Sequence, residues 1–172
     1  MNLSILFFAL FLTCQTVAAS PLYVSIELPE ESRLLILTED GAVRLAPLDT
    51  GHEETDKDQV GFANPKISED KTMVGWLSLY PNCCTSYPIP LEVVLQQNGK
   101  VIAKFRGNGL PIWQWGFRGA SRQIALRQSP THGPNPDHYE LRDIQTGKLL
   151  SEFDPEEQGA LQGAPEWALG LE

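Results

Sequence analysis

The sequence predicts an all-β fold of two to three antiparallel, propeller-blade-like sheets in an open or partial arrangement, with a β-sandwich as the alternative. Two observations support this prediction. Residues 91–105 (LEVVLQQNGKVIAKF) recur as residues 139–153 (YELRDIQTGKLLSEF) at a constant offset of 48 residues, and this spacing is typical of blade repeats. Short apolar runs also alternate with turn sequences along the chain, with little helical period.

The first unit, about residues 20–60, contains a predicted hairpin. Apolar runs at 34–37 and 42–45 flank Asp40 and Gly41, and an Asp-Gly pair readily adopts the positive φ of a tight hairpin turn. The acidic stretch 49–58 follows and is predicted to be a solvated loop.

Two longer units follow, at about 64–106 and 111–154. Strand signals at 73–79, 112–117 and 123–126 precede hairpins whose turns are Asn98-Gly99 and Thr146-Gly147. Each of these units is therefore predicted to be a four-stranded antiparallel sheet. The tail, 155–172, is irregular and has room for one helical turn at 165–169.

The N-terminus is typical of a cleavable export signal. An uncharged apolar run, 5–12, precedes the small-residue site Val17-Ala18-Ala19. The run is too short for a stable membrane span. We expect cleavage after Ala19, a periplasmic or secreted location, and a single mature domain, 20–172.

The charge balance restricts the classes of partner. The chain has 13 basic and 22 acidic residues, a formal net charge of −9. Nucleic acid and anionic membrane are therefore disfavoured as partners. We expect no cofactor.

Cys83 and Cys84 are adjacent and are the only cysteines after the predicted signal. In an oxidising compartment they can bond to each other, bond to another molecule or remain free thiols. A vicinal disulfide is strained, because neighbouring Cα atoms lie closer than the usual disulfide range. We expect the vicinal disulfide; a bond to another molecule and two free thiols remain the alternatives.

Two proline-rich loops, 80–90 and 129–138, occupy equivalent places in the two long units. Both are therefore expected to emerge on the same face of the protein, and loops that share a face often carry the binding residues. The candidate binding residues are Tyr80, Asn82, Cys83, Cys84, Tyr87, His132, Asp137 and His138.

Some residues resemble the WD40-like repeats of TolB-type β-propellers. They are Ile124-Ala125, Tyr139, Asp143 and Thr146-Gly147, while residues 68–71 (SEDK) stand where that family has Ser-Pro-Asp-Gly. The resemblance implies a binding surface rather than a catalytic constellation. Because a single-chain propeller needs at least four blades, we expect an open stack of sheets, a sandwich, or closure by a homo-oligomer.

The sequence thus favours an exported, non-catalytic module that recognises a protein partner through the two loops. The alternative is a metal-dependent hydrolase that uses His132, Asp137 and His138, although their spacing matches no defined metal motif.

Overall fold

The computed structural model describes residues 21–54, 57–133, 136–156 and 161–171. The predicted export signal, 1–19, lies outside these residues. Within them the chain forms eleven strands and a short 3-10 helix, Glu166–Ala168, at the predicted helical turn. In these ranges no helix is long and apolar enough to cross a membrane.

The strands form three antiparallel sheets, in which each strand pairs with the next along the chain. Sheet I contains β1 (Tyr23–Glu30), β2 (Arg33–Thr38) and β3 (Val43–Leu45). Sheet II contains β4 (Gly61–Ile67), β5 (Met73–Tyr80), β6 (Ile89–Gln97) and β7 (Lys100–Arg106). Sheet III contains β8 (Ile112–Arg118), β9 (Gln123–Gln128), β10 (His138–Asp143) and β11 (Leu149–Phe153). The all-β prediction is confirmed.

The hairpin turns have the chemistry that the sequence indicated. Gly41, Gly99 and Gly147 all have positive φ angles. In the turn before β3, Thr38 Oγ1 donates to Asp40 Oδ1 at 2.6 Å, and the same carboxylate accepts the N–H of Ala42 at 3.1 Å. Both bonds lower the pKa of Asp40, and the bond from Thr38 has the larger effect. The turn therefore satisfies its own polar groups and fixes the register of β2 and β3.

Sheet II is packed between the other two sheets. All eight residues of β5 are buried, so both faces of this strand need a partner. One face joins sheet I in a core that includes Leu34, Ile36 and Trp76. The other joins sheet III in a core that includes Leu95 and Trp115.

Gly75 lies on the face of β5 that packs against sheet III, in close contact with Trp115. A Cβ at this position would lie 2.5 Å from Leu95 Cδ2, 2.7 Å from Trp115 Cη2 and 3.0 Å from the carbonyl oxygen of Val94. The indole of Trp115 also donates from Nε1 to the carbonyl oxygen of Asn64 at 2.9 Å. The absence of a side chain on Gly75 therefore allows the indole to pack against β5.

The C-terminal tail covers the far side of sheet III. Ala168 and Leu171 pack with Ala125 and Tyr139 in a third apolar cluster. Arg118 Nε donates to the carbonyl oxygen of Trp167 at 2.8 Å, and Arg118 Nη2 donates to that of Leu169 at 2.8 Å. The C-terminal tail thus covers the face of sheet III that points away from sheet II.

We expect Gly75→Ala to lower the free energy of unfolding by about 1–3 kcal/mol, because the added methyl overpacks the contact with Trp115. Urea unfolding measures this change. The Trp115→Phe background is the control, since the smaller ring leaves more room for the added methyl, and Gly75→Ala should cost less stability there. Equal losses in the two backgrounds would contradict the close approach of Gly75 and Trp115.

Candidate functional site

Three connections meet at one end of sheets II and III, which we call the loop end. They are the β5–β6 loop (81–88), the β7–β8 connection (107–111) and the described parts of the β9–β10 loop (129–133 and 136–137). The N–H of Ser129 donates to the carbonyl oxygen of Pro111 at 3.2 Å, and Trp113 Nε1 donates to the carbonyl oxygen of Ser129 at 2.9 Å. The 107–111 connection is therefore fixed against the start of the β9–β10 loop.

The β5–β6 loop is braced by its own side chains. Asn82 Nδ2 donates to Thr85 Oγ1 at 3.0 Å, and Asn82 Oδ1 accepts the N–H of Cys84 at 3.3 Å. Thr85 Oγ1 in turn donates to the carbonyl oxygen of Tyr87. These bonds hold the loop as one unit and leave the Tyr87 ring 46% exposed.

Cys83 and Cys84 are both exposed and are free thiols in the structure. The pKa of the Cys84 thiol is raised, chiefly by its hydrogen bond with the Cys83 sulfur. The vicinal disulfide stays a prediction.

The candidate residues of the second loop lie in different environments. His132 is exposed, whereas the Asp137 side chain is fully enclosed. Asp137 Oδ2 accepts from Arg127 Nε at 3.1 Å and from the Tyr139 hydroxyl at 3.4 Å. Asp137 therefore supports the loop from beneath, and His132 is on the surface.

His138 is held between two carboxylates. Its Nδ1 lies 2.6 Å from Asp154 Oδ1, and its Nε2 lies 3.3 Å from Glu140 Oε1. Desolvation acts to lower the pKa of His138, but the bonds to Asp154 and Glu140 outweigh it and raise the pKa above its ordinary value. The two carboxylates therefore favour the protonated form of the imidazole.

No group of three or more His, Cys, Asp or Glu side chains suited to a metal ion occurs among the residues that the structure describes. Of the three residues in the hydrolase alternative, Asp137 is paired with Arg127, and His138 is paired with Asp154 and Glu140.

A cavity of about 390 Å³ opens beside Tyr80 at the loop end. Its lining combines apolar and charged side chains with the glycine-rich 107–111 connection: Asp49, His52, Lys57, Tyr80, Leu91, Arg106, Gly107, Gly109 and Leu110. Its volume lies in the lower part of the range for ligand-binding clefts.

A chain of alternating charges stands beside this cavity. Lys104 Nζ lies 2.7 Å from Asp49 Oδ2 and 3.4 Å from Glu92 Oε1, and Arg106 Nε donates to Glu92 Oε2 at 3.0 Å. The Glu92 side chain is only 3% exposed, so these two cations compensate a buried carboxylate. Burial, followed by the charge of Glu92, raises the pKa of the Tyr80 hydroxyl. Tyr80 therefore remains neutral at physiological pH.

Four residues beside the cavity were not predicted from the sequence: Asp49, Glu92, Lys104 and Arg106. One signal was present: Glu92 aligns with Glu140 at the repeat offset, and both glutamates are themselves buried within their strands. A carboxylate at a buried strand position needs a cation nearby. Arg106 pairs with Glu92, and Arg142 pairs with Glu140.

No family model matches the sequence, and no curated protein is similar to it. Among solved structures, the chain is similar to one described as the crystal structure of the eukaryotic initiation factor, with 14% sequence identity and a TM-score of 0.46. That similarity covers 77% of this chain and 29% of the other, so the chain spans less than a third of the length of the structure it matches.

We expect the part of the stability that His138 contributes to be fully present below about pH 6.5, the ordinary histidine pKa, and to be lost as the pH rises through its raised pKa. The reason is that only the folded state places the imidazolium between two carboxylates. Urea unfolding of the wild type and of His138→Gln, from pH 5.5 to 8.5, measures the difference.

The exposed His132 provides the control for this experiment. The His132→Gln variant should follow the pH dependence of the wild type. A stability difference between wild type and His138→Gln that stays constant across the pH range would rule out the charged role of His138.

Proposed function

We propose that this chain is an exported, non-catalytic interaction module that recognises a protein partner through the loop end. The observation that carries the proposal is the combination of a braced loop, which presents an exposed tyrosine and two exposed cysteines, with a partly apolar cavity bordered by Tyr80. Tyrosine is enriched among the residues that dominate binding energy, and such residues commonly fit into pockets on the partner.

The shape of the β5–β6 loop suits recognition because its conformation is already set. The hydrogen bonds among Asn82, Cys84 and Thr85 hold the loop before any partner arrives. A preordered loop loses less conformational entropy on binding. The vicinal disulfide, where it forms, restricts the loop further, and the exported location that residues 1–19 predict favours its formation.

The cavity supplies the second half of the proposed site. Tyr80, Leu91 and Leu110 contribute apolar surface, and Arg106 adds a guanidinium whose Nε is bound to Glu92. An apolar side chain of the partner with a nearby carboxylate would match both features.

The repeat pattern supports the same function class. The recurrence at 48 residues and the turn residues Asp143, Thr146 and Gly147 favour describing the sheets as WD40-like blades of the TolB type. That repeat type presents its loops to other molecules, as we propose for the loop end.

We expect Tyr87→Ala to reduce partner capture by about tenfold or more, because we propose that Tyr87 is a binding hot spot, and truncation of such a residue costs about 2 kcal/mol or more. Cross-linking in the producing cells, followed by quantitative mass spectrometry of the captured protein, measures this loss. Leu169→Ala is the matched control, because Leu169 is 46% exposed like Tyr87 but lies in the C-terminal tail. Equal capture by wild type and Tyr87→Ala would exclude the loop as the recognition element.

We expect the exported protein to begin at Ser20 and to contain a Cys83–Cys84 bond. Intact mass after thiol alkylation measures both features, since a closed bond adds no alkyl group until the protein is reduced. Cys84→Ser provides the comparison, because it leaves a single alkylatable thiol before and after reduction. Two alkyl groups on the unreduced exported protein would show that the bond does not form.

A further inference from the structure

The outer face of sheet I, which points away from sheet II, is apolar, and its edge residues Val43 and Leu45 are exposed. Side chains directly opposite each other in antiparallel strands point to the same face. The register therefore places two rows on this face: Ser25, Leu37 and Val43, and Glu27, Leu35 and Leu45. The alternate residues Leu34 and Ile36 face the core, where they are fully buried.

The exposure of this face is high for aliphatic side chains. On the edge strand β3, Val43 is 62% exposed and Leu45 is 61% exposed. Their partners on strand β2, Leu37 and Leu35, are half-buried. A sheet with one buried face normally alternates apolar residues inside with polar residues outside. Strand β2 instead carries leucine or isoleucine on both faces.

The other sheet faces in the stack are covered. Sheets I and III cover the two faces of sheet II, and Ala168 and Leu171 of the tail cover sheet III. The sheet I face is thus the position where a further layer would stack. Sheets pack against one another about 10 Å apart through such apolar faces.

The charges around this face indicate the kind of partner. Residues 21–45 contain five carboxylates and two guanidinium groups. Glu27 lies in one of the apolar rows opposite Leu35, and the other four carboxylates are exposed at or beside the two turns where the strands end: Glu30, Glu31, Glu39 and Asp40. A second copy of the chain would place the same excess of carboxylates against this one, and like charges disfavour that contact. A partner with an apolar centre and lysine or arginine at its edges is complementary to this face.

We propose that the outer face of sheet I is a second interaction surface, which stacks against an extended apolar segment with basic flanks in a partner protein. This surface is separate from the loop end, since no residue of the two rows lines the cavity there. The partner segment adds a layer to the stack, so its alternate aliphatic side chains cover Val43 and Leu45 while its terminal cations meet Glu27 and the neighbouring carboxylates.

The experiment uses the full chain and a defined probe, the peptide Lys-Lys-Leu-Thr-Val-Thr-Leu-Lys-Lys with blocked termini. Titration followed by amide chemical shifts reports both affinity and location. We expect shifts concentrated in β2 and β3, and about tenfold weaker binding to the double variant Val43→Ser/Leu45→Ser, because serine removes the apolar contact.

Two controls separate this surface from general attraction to an acidic protein. Val101→Ser/Ile102→Ser removes two exposed aliphatic residues from the outer strand of sheet II and should bind the peptide like the wild type. The peptide with glutamate in place of each lysine should bind at least tenfold more weakly than the lysine peptide.

Three outcomes would overturn the proposal. The first is equal binding of the lysine peptide to wild type and Val43→Ser/Leu45→Ser, or no binding to either protein. The second is equal affinity for the lysine and glutamate peptides. The third is a dimer in sedimentation velocity that dissociates in Val43→Ser/Leu45→Ser, since the occupant of the face would then be a second copy.

Discussion

The structure depends on the burial of sheet II on both faces. Because all eight residues of β5 are buried, this strand is stable only with an apolar layer on each side, and the sheets before and after it in the chain supply those layers. The approach of sheet III is limited by Gly75, where only the absence of a Cβ leaves room for Trp115. This stacking in turn brings the connections of sheets II and III together at the loop end.

The two long repeats each bury a glutamate at the same position, and they neutralise it differently. Glu92 is paired with Lys104 and Arg106 from the neighbouring strand β7, whereas Glu140 is paired with His138 and Arg142 from its own strand. The cations around Glu92 lie at the end of sheet II, so Arg106 also lines the cavity. A similar buried charge thus produces a charged cavity wall in one repeat and a local ion-pair cluster in the other.

Sequence reasoning predicted the elements that short-range chemistry determines. The turn pairs Asp40-Gly41 and Asn98-Gly99 identified hairpins because they require positive φ. Strand β1 was missed, since Pro29 and neighbouring glutamates in Tyr23–Glu30 weaken its period-two pattern. The cavity could not be predicted either, because Asp49 meets Lys104 across 55 residues. Likewise, the burial of Asp137 depends on Arg127, ten residues earlier in the preceding strand.

The net charge of −9 acts differently at long and short range. At a distance the whole chain attracts basic partners, but within about 8–10 Å, the Debye length at physiological salt, local charges decide the fit. Arg106 and Lys57 line the cavity together with Asp49, and both cations are already paired, Arg106 with Glu92 and Lys57 with Glu54. A carboxylate that entered the cavity would therefore compete with these glutamates. In residues 21–45, by contrast, carboxylates outnumber guanidinium groups by five to two, so the attraction of a basic group is stronger at sheet I than the attraction of an acidic group at the cavity.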